Sequence, residues 1–151
     1  MRLARPPIGE STVDRRTRNR ICIWVVVIGM ANFVTYTVAY GYIGGDAKNG
    51  RVADGVFYVR GHFLHGADGE ETAVSKGVWI YSYVHSISIW PTHAAVLLSM
   101  LVLARPHILA TMKDGFISGA TFVTVFATVV VLAMAFTTVW FVLDFIGQLG
   151  S

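Results

Sequence analysis

Three apolar intervals, 21–43, 77–104 and 116–145, leave this chain few folds to choose from. Each is longer than the about 20 residues that a helix, rising 1.5 Å per residue, needs to cross about 30 Å of hydrocarbon. Lipid satisfies no backbone hydrogen bond, so intervals of this kind cross as helices. The reading is therefore an all-α integral membrane protein with three transmembrane helices and a small external β-hairpin-like loop between the first and second. The composition agrees, at 54% hydrophobic and only 14% charged residues, against about 25% charged in soluble domains.

The charges mark the boundaries. Residues 1–20 form a basic tail carrying Arg2, Arg5, Arg15, Arg16, Arg18 and Arg20. Residues 44–76 form the large polar loop, 105–115 a short basic connection and 146–151 the C-terminal end. The interval 21–43 is too long for the about 7–15 residue core of a secretory signal and lacks a small-x-small cleavage site, so it reads as an uncleaved anchor. The tail and the short connection hold eight lysines and arginines, whereas the loop holds Lys48, Arg51, Arg60 and Lys76. The positive-inside rule then puts the N-terminus in the cytoplasm and the loop and C-terminus outside, with a bacterial inner membrane as the expected location. The net charge of +3 is thus a topology signal. No basic folded face is legible, so no nucleic-acid partner is expected. The expected partners are the lipid bilayer and either other membrane subunits or further copies of the chain. A lone cysteine, Cys22, excludes an intramolecular disulfide.

Within the loop, Asn49-Gly50 and Asp54-Gly55 are turn dipeptides, and Val56-Phe57-Tyr58-Val59 has the makeup of a short strand. Ser75 is placed to cap the second helix. His62 and His65, followed by Asp68, Glu70 and Glu71, have metal-donor chemistry, but their spacing is generic and the glycines around them argue for loop. An EF-hand starting at Asp46 is excluded, because Lys48 stands where an oxygen ligand is required.

The second span carries the chemistry. His85 and His93 lie within an apolar interval, where ionisable groups face a protein interior or a cavity and are functional candidates by default. At helical spacing Tyr81, Ser82, His85, Thr92, Val96 and Ser99 share a stripe, with His93 about 80° away from His85. Pro91 predicts a bend on which these polar groups converge. In the first span Gly29, Asn32, Tyr36 and Tyr40 share one face, and Asn32 and Tyr36 are expected to contact a neighbouring helix. Thr121, Thr124 and Thr128 give the third span a small-residue side suited to helix packing. Asp144, near the end of that span, is tolerable if it pairs with a cation from the large loop.

Three functions follow from these residues. The leading one is a non-catalytic accessory or scaffold subunit of a larger membrane complex, with the histidines bonded to neighbouring helices. No nucleophile-and-base constellation, phosphate loop or dinucleotide fingerprint is present in the sequence. The second is a redox anchor binding haem b or a quinone through His85 or His93, with Tyr81, Ser82 and Thr92 supplying hydrogen bonds. Two imidazoles about 12 Å apart along one helix do not clasp one haem, so a bis-histidine site requires a second chain. The third is an oligomeric proton or metal-ion relay through the same histidines, for which no membrane-embedded acid is evident.

Overall fold

A computed structural model describes residues 15–61, 70–113 and 115–150. Helix α1 spans Arg15–Ile43, α2 Lys76–Thr111 and α3 Gly119–Leu149, at 29, 36 and 31 residues. All three are long and apolar enough to cross a membrane. Their outward residues are large and apolar, with Trp24, Val38, Leu132 and Phe136 each more than 60% exposed. In water such a surface is a liability; against lipid it is the expected face.

The helices form an open row. The central helix α2 packs against α1 on one side and α3 on the other, while α1 and α3 scarcely touch. Helices α1 and α2 approach closely at Gly29, where an added Cβ would lie 2.2 Å from Val96 Cγ2 and 3.3 Å from Thr92 Cγ2. Helices α2 and α3 approach closely at Gly119, where an added Cβ would meet the backbone of Ile108 and Leu109 at 2.9 and 3.0 Å. That contact holds the last turns of α2, so the helix runs through Arg105-Pro106-His107 to Thr111 and does not close there. Pro106 removes one hydrogen bond, but the packing beyond it keeps the chain helical. Serine caps start both helices, Ser75 for α2 and Ser118 for α3.

Helix α1 ends on two glycines, both with positive φ. Gly44 and Gly45 each donate an N–H to the Tyr40 carbonyl, which closes the helix, and a Cβ on Gly45 would lie 2.2 Å from the carbonyl carbon of Arg60. The chain then enters a three-stranded antiparallel sheet, β1 Asp46–Ala53, β2 Val56–Arg60 and β3 Glu71–Val74, in that order. The hairpin turn is Asp54-Gly55, with φ of 52° and 74°, the left-handed pair that a two-residue hairpin requires.

Two features differ from the sequence reading. Asn49-Gly50 is no turn; it lies inside β1, where the register with β2 shifts between Asp46 and Arg51. Gly50 serves close approach there, since a Cβ would be 1.8 Å from the Tyr58 carbonyl oxygen. The hairpin also gains a third strand. Its four residues, Glu71 to Val74, lack a strong strand pattern and are held by pairing with Phe57 to Arg60 and by Arg51, which reaches Glu71 at 3.0 Å.

The core lies where the sheet meets the helices. Ala47, Val59, Trp79 and Tyr83 are fully buried, with Phe57 and Phe145 against them. Trp79 packs on Phe57, Tyr83 and Phe145 with ring centroids 5.0–6.0 Å apart.

The Gly29 contact is directly testable. Gly29→Ala should lower unfolding stability in detergent by about 1–3 kcal/mol through overpacking. Val96→Ala added to it should recover part of that loss, and a double-mutant cycle should show coupling of at least about 0.5 kcal/mol.

Candidate functional site

The polar residues of α2 face α1 and the start of β1. There they form a hydrogen-bonded chain whose direction is fixed from its far end. The Ser88 carbonyl can only accept, so Thr92 Oγ1 donates to it at 2.7 Å. Thr92 Oγ1 therefore accepts from Asn32 Nδ2 at 3.3 Å, which turns Asn32 Oδ1 toward His85 Nε2 at 3.2 Å. An amide oxygen cannot donate, so the hydrogen of neutral His85 sits on Nε2. Nδ1 is then the acceptor, and the Tyr81 hydroxyl donates to it at 3.2 Å. Both ring nitrogens of His85 are engaged inside the chain.

A second group of bonds joins this seam to the sheet. The Tyr36 hydroxyl donates to Asp46 Oδ2 at 2.7 Å, and the Asn49 N–H donates to Asp46 Oδ1 at 2.9 Å. The Ala47 N–H donates to Ser82 Oγ at 3.0 Å. Tyr36 also places its ring edge-on to His85, with centroids 5.4 Å apart. Asp46 is 6% exposed, a carboxylate held by two donors at the mouth of the helix pair. Between Tyr36, Asp46, Tyr81, Ser82 and His85 lies a cavity of about 10 Å3.

His93 stands apart from this group. Its Nδ1 donates to the Ile89 carbonyl at 2.8 Å, and its ring meets Phe33 edge-on at 5.6 Å. That bond fixes the tautomer and makes Nε2 the lone-pair nitrogen, for which there is no hydrogen-bond partner among the described residues. Pro91 does not gather the polar groups. With Ala94 and Ala95 it lines an open apolar cleft of about 520 Å3 against Val131, Met134, Ala135 and Thr138 of α3.

A third polar group ties the sheet to α3. Asp144 accepts from the Tyr83 hydroxyl, from Lys48 Nζ at 2.9 Å and from Gln148 Nε2 at 3.1 Å. The Lys48 ammonium also lies 5.1 Å from the Phe141 ring centroid and 5.6 Å from that of Trp140. The expected loop cation is Lys48.

The sequence-derived residues thus divide. Tyr81, Ser82, His85 and Thr92 come together with Asn32 and Tyr36 at one seam, and His93 does not join them. Thr121, Thr124 and Thr128 lie on the outward side of α3. They are exposed, and Thr124 and Thr128 bond carbonyls of their own helix at 3.0 and 2.9 Å. Helix α3 turns Gly119 and Val130 toward α2, which leaves the threonine side outward. His62 and His65 lie outside the described residues. Among the described residues no group of three His, Cys, Asp or Glu side chains is arranged to hold a metal ion. The residue the sequence reading missed at the seam is Asp46. Its position just after the double glycine that ends α1, ten residues beyond Tyr36, is the only local signal for it.

No family model, curated protein or solved structure matches this chain.

Asn32 is expected to matter and the outward threonines are not. Asn32→Leu, which keeps the branched shape and removes two interhelical bonds, should cost about 1–2 kcal/mol of unfolding stability in detergent. Thr124→Val and Thr128→Val should each stay within about 0.5 kcal/mol of the parent, as changes away from buried contacts do.

Proposed function

We propose that the chain is an integral membrane protein that acts as a non-catalytic accessory or scaffold subunit of a larger membrane complex. The observation that carries this reading is His85. A ligating imidazole needs a nitrogen whose lone pair is free to bind iron or another metal, and His85 holds Asn32 with one and Tyr81 with the other. Its geometry is that of a bond between helices. The open row of helices adds support, because α2 keeps two sides on which helices of other subunits can pack.

The N-terminus is cytoplasmic and the sheet and C-terminus are external on this reading. Its support is the partition of charge. The end holding the start of α1, the end of α2 and the start of α3 carries Arg15, Arg16, Arg18, Arg20, Arg105 and Lys113, and no Asp or Glu among the described residues. The sheet end carries Asp46, Asp54, Glu70, Glu71 and Asp144 beside its four cations. This is the asymmetry that the positive-inside rule reads.

A second reading, a redox anchor, falls on His93 alone. Its Nδ1–H is bound to a carbonyl, the arrangement that orients ligating imidazoles, and Nε2 keeps its lone pair.

One preparation separates the two. The full chain, purified gently from its own membrane, should be colourless before and after dithionite and should migrate with other subunits in fixed stoichiometry. His85→Gln should weaken that assembly, and His93→Gln should leave it intact. A stoichiometric Soret band lost in His93→Gln would overturn the scaffold reading. Orientation is tested in a Cys22→Ser background, where Asp54→Cys should react with an impermeant maleimide from outside and Lys113→Cys only after the membrane is opened.

A further inference from the structure

At the end opposite the sheet, Arg15, Arg16, Asn19, Arg20 and Ile23 of α1 share one side at helical spacing and line an open concavity of about 520 Å3. Its walls are three guanidinium groups and an amide above an isoleucine. Arg105 and Lys113 stand at the same end, and no Asp or Glu does among the described residues. Toward the membrane centre the same side of α1 continues as Ile23, Val27, Met30 and Val34, each 50–55% exposed. From Ile23 to Val34 the helix rises about 16 Å, close to one leaflet of the about 30 Å hydrocarbon core. Trp24, 64% exposed, stands one turn below Arg20, where aromatic residues mark the membrane interface. The contact with α2 at Gly29 lies roughly 120° round the helix and leaves this stripe open.

We propose that this face binds one anionic phospholipid, its phosphate held by Arg15, Asn19 and Arg20 and one acyl chain lying along Ile23, Val27, Met30 and Val34. A guanidinium is a planar fork that matches two oxygens of a phosphodiester, and the Asn19 amide supplies a further donor. Headgroup charge decides among lipids. A choline or ethanolamine headgroup brings its own cation beside the phosphate, so three arginines attract it little. A phosphodiester with no such cation receives the full attraction, about fivefold in affinity for each basic side chain near an anionic membrane surface. The apolar stripe decides between a lipid and a free phosphate. Only a lipid covers both the arginines and the leaflet-long row of exposed side chains beneath them.

The sheet end has cations too, but they are engaged differently. Lys48 is paired with Asp144 and Arg51 with Glu71, so those charges are met within the fold. The lipid site therefore belongs to the leaflet that holds the start of α1. It goes beyond the scaffold reading, since it needs neither a partner subunit nor an assigned orientation, only that α1 crosses the bilayer.

The test is a lipid titration of the full chain, delipidated in an uncharged maltoside detergent and read by native mass spectrometry. Dioleoyl phosphatidylglycerol should bind at least about tenfold more tightly than dioleoyl phosphatidylcholine. Arg15→Gln and Arg20→Gln should each weaken phosphatidylglycerol binding by about fivefold, whereas Arg105→Gln, which removes the same charge from the same end, should change it by less than about twofold. Soluble glycerophosphoglycerol, the headgroup without chains, should compete only weakly. Equal binding of the two lipids would overturn the proposal, as would an Arg105→Gln effect as large as that of Arg20→Gln. Competition by the soluble headgroup at the affinity of the whole lipid would also sink it, since that marks a phosphate site. Arg15 and Arg20 are exposed, so both variants should keep the parent's unfolding midpoint. If one does not, the other carries the comparison.

Discussion

Asp144 is where the separate parts of this fold are fastened together. Its carboxylate receives the ammonium of Lys48 from β1, the hydroxyl of Tyr83 from α2 and the amide of Gln148 from its own helix. A carboxylate among aromatic rings is costly unless its lone pairs are met. Here each donor comes from an element that must be in place for the bond to form. The pair sets how the sheet sits on the ends of α2 and α3, and the Trp79, Tyr83 and Phe145 rings fill the space beneath it. The first residues of β1, Asp46 and Ala47, are held over the mouth between α1 and α2 by Tyr36 and Ser82.

The two sides of α2 have different chemistry because they meet different neighbours. Toward α1 it presents hydroxyls and an imidazole, which find partners in Asn32, Tyr36 and the β1 backbone. Toward α3 it presents Pro91, Ala94 and Ala95, whose small volume leaves an open apolar cleft. Interhelical hydrogen bonds are individually modest, about 0.6–2 kcal/mol. A connected chain of them orients every member, and that orientation is what gives His85 a single neutral tautomer.

Much of this was legible in the sequence, for reasons that can be named residue by residue. Apolar intervals longer than a bilayer is thick announce helices, because backbone groups in lipid have no other partner. Asp54-Gly55 announces the hairpin, because only such pairs adopt two consecutive positive φ values cheaply. Ser75 announces a cap, and the spacing of Gly29, Asn32 and Tyr36 gives them one face. The threonines of α3 share one side, as their spacing says, but helical spacing does not show which side meets a neighbour. Asn49-Gly50 misled, since glycine serves both turns and close approach.

The sequence by itself determined the local structure: three long helices, a hairpin and a polar stripe on α2, all set by interactions spanning a few residues or by the solvent that surrounds them. Only the tertiary structure decided which polar groups meet. The third strand pairs with the edge of β2, α2 extends past Pro106 to meet α3 at Gly119, and Asp46 is held beside the cavity of His85 by Tyr36. Those contacts join residues far apart in the chain, and no local pattern encodes the distance between them.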